Sequence, residues 1–365
     1  MRSIVYHFFS FALILMAQGM IFPISMAEAE GSRTIYYLIP TLVDEFQTES
    51  QRMIESVFST LNYKVVSVNA DGNPELQARQ LRNAADDNPA GIIVNAVDAL
   101  SIGEALKSAQ AKGIPILVYD RMLSTDEAFD FASVSNAEAI GQMAANKAID
   151  LLVDIPGSSA QKTILQIVGD PGDTYSLRVL AGFQATLRKH KRINVITVPA
   201  MGWEPANARM LAKEHLKLNP DLIFCHSSDL AAAVIPLIEP DIRSHKVAVM
   251  AITGAPVGIN LLAQGLESFE IEQPLYAQVY GLALGLQGVM DRKKGMPGLK
   301  DGPCEILGVS GKLEANGRVL TLKGRPLVRE DLKDDKNRAM LGLWGDLARP
   351  TMSADKINSL ACEGH

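Results

Sequence analysis

Gly113-Ile114-Pro115-Ile116-Leu117-Val118-Tyr119-Asp120-Arg121 is the stretch from which the fold is best read. Its run of β-branched and large apolar residues, without polar alternation, predicts a strand buried on both faces of a parallel sheet. The run stops at two charges, Asp120 and Arg121, where the strand leaves the sheet. In open α/β sheets the ligand crevice lies beyond the carboxyl ends of the strands. An aspartate placed there accepts from paired hydroxyls and an arginine donates in a fixed plane, which suits a hydroxyl-rich ligand. The same two residues equally suit a turn cap and a solvated surface charge, so the rest of the chain has to decide.

Working outward, strands are predicted over 35–39, 64–68, 91–95, 113–119 and 131–134, with helices between them. One helix carries Ile54, Val57, Phe58 and Leu61 on a single face, and Asn73-Pro74 opens another with a capping residue and a first-turn proline. A long helix starts near Asn136. A second set follows, with strands over 163–168, 194–198, 222–225 and 247–252, each leading into a helix. Such alternation implies parallel sheets with helices on both faces, and two sets imply two doubly wound α/β lobes around one cleft. After Gln273-Pro274 comes an apolar helix over 275–290, then a strand over 305–309, an Asn316-Gly317 turn and a strand over 319–322. From Lys323 the chain is more charged and less periodic, and 345–365 reads as an irregular tail packed on a surface.

The length of 365 residues suits two domains, and 47% hydrophobic with 21% charged residues supplies an ample core. A net charge of -6 with no basic run gives nothing to attract a phosphate backbone, so nucleic acid is not expected as a partner. Residues 1–29 read as a signal peptide: Arg2 gives a positive start, Phe8 to Met16 an apolar core, and small residues recur at Ser25-Met26-Ala27 and Ala27-Glu28-Ala29. The apolar stretch is broken by Gln18, Gly19 and Pro23 and is short for a membrane span of about 20 residues. An exported mature protein beginning near Glu28 or Glu30 is the expectation. Of the three cysteines, Cys225 lies in an apolar strand run and reads as a buried small hydrophobe, while Cys304 and Cys362 would tie the tail down if bridged. The six histidines are scattered and no metal-ligand spacing is found, so neither metal nor cofactor is expected.

The strand ends carry polar and aromatic groups: Pro40, Asp44 and Phe46 after the first, and Asp120-Arg121 after the fourth. In the second set they are Asp173, Tyr175 and Arg178, then Trp203, then His226-Ser227-Ser228-Asp229, then Thr253-Gly254. Phe46 and Trp203 are placed to sandwich a sugar-like ring through its C–H face.

Over nearly the whole mature length the chain resembles the type I periplasmic solute-binding proteins of the ribose-binding family. The resemblance rests on the stretch from Thr34-Ile35 to Phe46, on Asn73-Pro74, Gly113-Ile114-Pro115 with Asp120-Arg121, and the Gly169 to Phe183 unit. Trp203, Asn219-Pro220-Asp221 leading into Phe224, and Gln273 complete it. It implies a two-lobe clamp with three crossovers, near residues 135, 272 and 308. The domains are then 30–135 plus 274–307, 136–273 plus 308–322, and an extension over 323–365. It also implies ligand contacts from Asp44, Phe46, Asp120, Arg121, Tyr175, Arg178, Trp203, Ser228, Thr253 and Gln273.

The chain departs from the family where Pro40 replaces a serine or threonine, Gln47 an aromatic, Ser227-Ser228-Asp229 an Asn-Asp, and Thr253 an aspartate. Arg178 falls one place from the family's arginine, which turns it about 100° on a helix. The Ser-Ser-Asp version is similar to autoinducer-binding periplasmic receptors, which also carry a C-terminal extension.

The implied function is capture of a small polyhydroxylated solute in the periplasm and its delivery to the permease of an ABC importer; the alternative partner is a sensor histidine kinase. An α/β enzyme is the reading from another class. Neither G-x-G-x-x-G nor a P-loop appears at Gly169-Asp170-Pro171-Gly172, whose acidic residues would repel a pyrophosphate, and no G-x-S-x-G elbow occurs. A repressor of the related fold would need a helix-turn-helix where the signal segment stands.

Overall fold

A computed structural model describes residues 33–123, 129–153, 161–333, 352–360 and 362. The expected signal peptide at 1–29 lies outside these residues. The first set of units is β1 (Thr34–Ile39), α1 (Glu45–Thr60), β2 (Lys64–Asn69), α2 (Pro74–Asp86), β3 (Gly91–Val94), α3 (Gly103–Ala111), β4 (Ile116–Tyr119) and β5 (Phe131–Ser135). The second is α4 (Ala137–Val153), β6 (Lys162–Val168), α5 (Thr174–Leu187), β7 (Ile193–Pro199), α6 (Pro205–His215), β8 (Leu222–Cys225), α7 (Ser228–Val234), α8 (Glu239–Arg243), β9 (Ala248–Thr253), α9 (Pro256–Gln264) and β10 (Phe269–Glu272). The chain then returns through α10 (Leu275–Lys293), β11 (Gly302–Ile306), β12 (Val309–Glu314), β13 (Val319–Leu322) and β14 (Arg325–Leu327), and α11 (Ala354–Asn358) lies near its end.

The strands form two sheets, β11-β12-β13-β5-β4-β3-β1-β2 and β14-β10-β9-β8-β6-β7. Strands β1 to β5 and β6 to β10 are parallel throughout and share one winding order, with the reversal at β1/β3 and β6/β8. The doubly wound α/β reading of the sequence therefore holds. The apolar run of β4 has its physical reason in two separate cores. Leu117 and Tyr119 pack on one face of the sheet with Tyr37 and Ile93, while Ile116 and Val118 pack on the other with Leu38 and Val94. A strand covered on both faces has no use for polar alternation.

Side-chain caps fix where the helices begin: Asp44, Asn73, Asp173 and Ser227 accept backbone N–H bonds at the starts of α1, α2, α5 and α7. Each such cap is worth about 1 kcal/mol. Asp44, Asp173 and Ser227 also face the cleft, so the same residues start helices and line the site.

Among the described residues the chain crosses between the sheets at Asn136, at Gln273-Pro274 and at Lys323-Gly324. The last of these corrects the crossover expected near residue 308 and the placement of 308–322 with the second lobe. The strand predicted over 305–309 is broken at Leu307-Gly308, both with positive φ (52° and 78°), which forms a two-residue hairpin turn between β11 and β12. β12 and β13 thus stay in the first sheet, β13 parallel to β5.

Strands β10 and β14 are not among the strands predicted from the sequence. Phe-Glu-Ile-Glu reads as half-exposed, yet Glu270 and Glu272 are fully buried, and Glu272 Oε2 lies 2.8 Å from Arg325 Nε on β14. The alternation is that of a strand, and tertiary pairing buries its polar face as well. In the tail expected to be irregular, α11 packs Ile357 against the α10 side of the first sheet, and Cys362 is bridged to Cys304 of β11. Cys225 is buried and unbridged.

Candidate functional site

Seven strand ends supply one cleft. Asp44, Phe46 and Gln47 follow β1, Asp120 and Arg121 follow β4, Asp173 and Tyr175 follow β6, and Trp203 follows β7; Ser227 and Asp229 follow β8, Thr253 ends β9, and Gln273 follows β10. The cleft leaves only about 320 Å³ free of atoms. The walls are therefore drawn together around a small-molecule site. Direct bridges hold them: Arg121 Nε lies 2.9 Å from Asp173 Oδ2, and Thr174 Oγ1 donates to the Met122 carbonyl at 2.8 Å.

Asp120 sits in a backbone conformation that its neighbours impose. Its φ is +63°, and the Arg121 N–H donates to the Tyr119 carbonyl at 2.7 Å, closing a γ-turn at the end of β4. Its carboxylate accepts from Gln273 Nε2 at 2.5 Å and from Asn95 Nδ2 at 3.3 Å. Burial, followed by the nearby charge of Asp173, raises its pKa to about 6 against the pull of Arg121. Arg121 is itself buried, and its Nη1 donates to the Ala96 carbonyl at 3.1 Å. The guanidinium is therefore fixed in plane, as the sequence reading requires of it.

Trp203 also has a positive φ, +61°, after Gly202 at +66°. Its Nε1 donates to Asp173 Oδ2 at 3.1 Å, and the Gly202 N–H donates to Asp170 Oδ2 at 2.8 Å. Its ring lies on Gly169 so closely that a Cβ there would fall 2.2 Å from Trp203 Cζ2. The glycine-bearing loop after β6 is thus a seat for an indole. On the opposite wall Phe46 stacks on Tyr119, with centroids 6.3 Å apart and planes at 13°.

Thr253 closes the far end with φ +109°, an outlying conformation for a β-branched residue. Its Oγ1 accepts from the Ser228 N–H at 3.2 Å and lies 2.8 Å from Ser228 Oγ, which donates to Glu270 Oε1 at 3.0 Å. Because the one Ser228 proton goes to Glu270, the Thr253 proton goes to Ser228, leaving Thr253 an acceptor.

Of the ten residues singled out from the sequence, Asp44, Phe46, Asp120, Arg121, Tyr175, Trp203, Thr253 and Gln273 line the cleft. Arg178 does not: it is exposed on α5, turned away as its one-residue offset requires. Ser228 lies behind Thr253 and orients it, while its neighbours Ser227 and Asp229 reach the lining. Gln47, Asp173, Ser227 and Asp229 are lining residues that were not among the ligand contacts expected from the sequence. Gln47 stood out only as a departure, and the other three lie in strand-end runs where capping is the nearest explanation.

Carboxylates dominate the electrostatics. Burial raises Asp44 to about 7 and Asp229 to about 6, the latter also through the charge of Glu45. Asp173 is raised by burial and pulled back by Arg121. His226 is buried beside Gln166 and Ser176 outside the lining, and burial alone lowers it to about 3, so the ring is neutral.

A family model described as periplasmic binding protein domain matches residues 35–293. The D-xylose-binding periplasmic protein of Escherichia coli is 23% identical over 244 residues, covering 64% of this chain and 72% of that protein. The ribose import binding protein of the same organism is 23% identical over 252 residues, covering 68% of this chain and 81% of that protein. Among solved structures, the Caulobacter myo-inositol binding protein bound to myo-inositol superposes with a TM-score of 0.71 at 19% identity, over 85% of this chain and 98% of that one. With more than half of its length matched, and with two doubly wound sheets around one cleft, this chain belongs to the periplasmic binding protein domain family.

Proposed function

We propose that this protein captures a small polyhydroxylated, sugar-like solute in the cleft and presents its closed form to the permease of an ABC importer in the periplasm. The observation that carries the reading is the Asp120–Arg121 pair. It is buried at a strand end, fixed by Gln273, Asn95 and the Ala96 carbonyl, and faced across the cleft by Asp173. Such a pair offers acceptor and donor edges to vicinal hydroxyls, while Phe46 and Trp203 offer ring faces. Contacts from both walls favour the closed state, which is what lets a ligand drive closure. The role is binding without turnover, consistent with a neutral His226 held away from the lining. The names of the xylose and ribose relatives agree with a sugar ligand and, for the second, with import.

The test is a thermal melt of the mature protein against pentoses, hexoses and polyols. A ligand at a hundredfold excess over its Kd adds about 2.7 kcal/mol, a shift of at least ~2 °C for a chain of this size. No shift from any of them counts against the reading. Loss of uptake of the hit in a deletion strain identifies the importer as partner, whereas unchanged uptake redirects it to a sensor histidine kinase.

A further inference from the structure

The lining of the cleft is unbalanced in charge. Asp44, Asp120, Asp173 and Asp229 face it, and among the described residues Arg121 is the one cationic side chain that does. Arg121 is committed to Asp173 at 2.9 Å and lies 4.0 Å from Asp120. Asp120 and Asp173 are further satisfied by Gln273, Asn95, Trp203 and the Tyr175 N–H. Asp44 and Asp229 have no such cation. They stand on opposite walls, Asp44 at the start of α1 and Asp229 in the first turn of α7, and the charge of Asp229 disfavours ionisation of Asp44. Glu45, which accepts from the Val257 N–H at 3.4 Å, adds a further negative charge beside Asp229.

Helix ends account for part of this: Asp44 caps α1, and the Asp229 carboxylate accepts from the Glu45 N–H in the first turn of the same helix. A helix N-terminus favours a carboxylate by roughly 0.3–1 kcal/mol, and α7 is capped by Ser227, whose Oγ accepts from Leu230, so Asp229 is not needed there. A second observation points to a ligand. The Tyr175 hydroxyl has no hydrogen-bond partner although the residue is only 5% exposed and lines the same cleft. Thr253, with its proton spent on Ser228, adds an acceptor. The aromatic faces of Phe46 and Trp203 complete surroundings suited to a cation.

We infer that the preferred ligand is a polyhydroxylated cation, an amino sugar or amino polyol, whose ammonium sits between Asp44 and Asp229. This rests on the sugar-binding reading and narrows it. An ammonium brings three donors to an acceptor-rich wall and stabilises the ionised form of both carboxyls, so it favours the closed form more than a neutral sugar does.

Matched pairs test it by titration calorimetry at neutral pH: D-glucosamine against D-glucose, D-glucamine against D-glucitol, and an inosamine against myo-inositol. In at least one pair the amine is expected to bind tenfold or more tightly than its neutral partner. Asp229→Asn, and separately Asp44→Asn on the opposite wall, should shrink that ratio toward one. Neutral members binding as tightly as their amines in every pair would overturn the inference and leave the sugar reading standing. Binding by neither class overturns both. If a variant does not fold, the pairs measured on the unaltered protein decide.

Discussion

Asp120, Trp203 and Thr253 line the cleft with a positive φ, which aspartate tolerates but tryptophan and threonine rarely adopt. Such conformations cost of order 1–3 kcal/mol each and persist where the surroundings over-determine them. For Trp203 the surroundings are specific: Gly169 below the ring and Asp173 at its nitrogen. Gly169→Ala is therefore expected to push the indole off its seat and weaken solute binding tenfold or more, measured by calorimetry with the solute found in the melts. Arg178→Ala, one turn along α5 but facing solvent, is expected to change the affinity by less than twofold. Unchanged binding in Gly169→Ala would remove Trp203 from the ligand contacts.

At the scale of elements, the second lobe is positioned by a close helix crossing. A Cβ on Gly141 of α4 would fall 2.1 Å from the Val179 carbonyl oxygen, and one on Gly182 of α5 2.1 Å from that of Glu138. These neighbours are backbone and cannot swing aside, so the axes can be this close only with glycine at both positions. Gly182→Ala is expected to lose stability by about 1–3 kcal/mol in urea titration, because overpacking outweighs the better helix propensity of alanine. Gly103→Ala at the start of α3, where nothing lies within 4 Å of the added carbon, serves as the control and should be neutral or slightly stabilising. Since α5 carries Tyr175 and is capped by Asp173, a shift of this helix is also felt in the cleft.

For the whole molecule, the buried carboxyls make stability depend on pH in an uncommon direction. Asp44 and Glu272 are raised to about 7, and Asp120 and Asp229 to about 6, in each case chiefly by burial. Their folded values lie above their unfolded ones, so the stability they contribute is present in full at low pH and is lost as pH rises through 6 to 7. His226 runs the other way. Held neutral down to about pH 3, it contributes above its ordinary value of 6.5 and loses that contribution as pH falls. Between pH 8 and 6.5 the carboxyls act nearly alone, so the Tm of the ligand-free protein is expected to rise on going from pH 8 to 6.5. A Tm that falls over this interval would show that these carboxyls are not buried as described.

The sequence by itself determined the β–α alternation, because strands covered on both faces need unbroken apolar runs and helices need one apolar stripe. It also placed polar and aromatic residues at the strand ends, and of the ten ligand contacts that the family resemblance implied, eight line the cleft. Only the tertiary structure decided the rest. The third crossover moved from near 308 to Lys323-Gly324 because a two-residue turn at Leu307-Gly308 folds β12 back along β11. β10 forms although half of its residues are glutamates, because β9 and β14 pair with its backbone and Arg325 meets Glu272. The excess of carboxylates over arginine in the cleft was invisible in the chain for the same reason. Asp44, Asp173 and Asp229 each look locally like a helix-start residue, and only the folding of two sheets against one another sets their charges face to face.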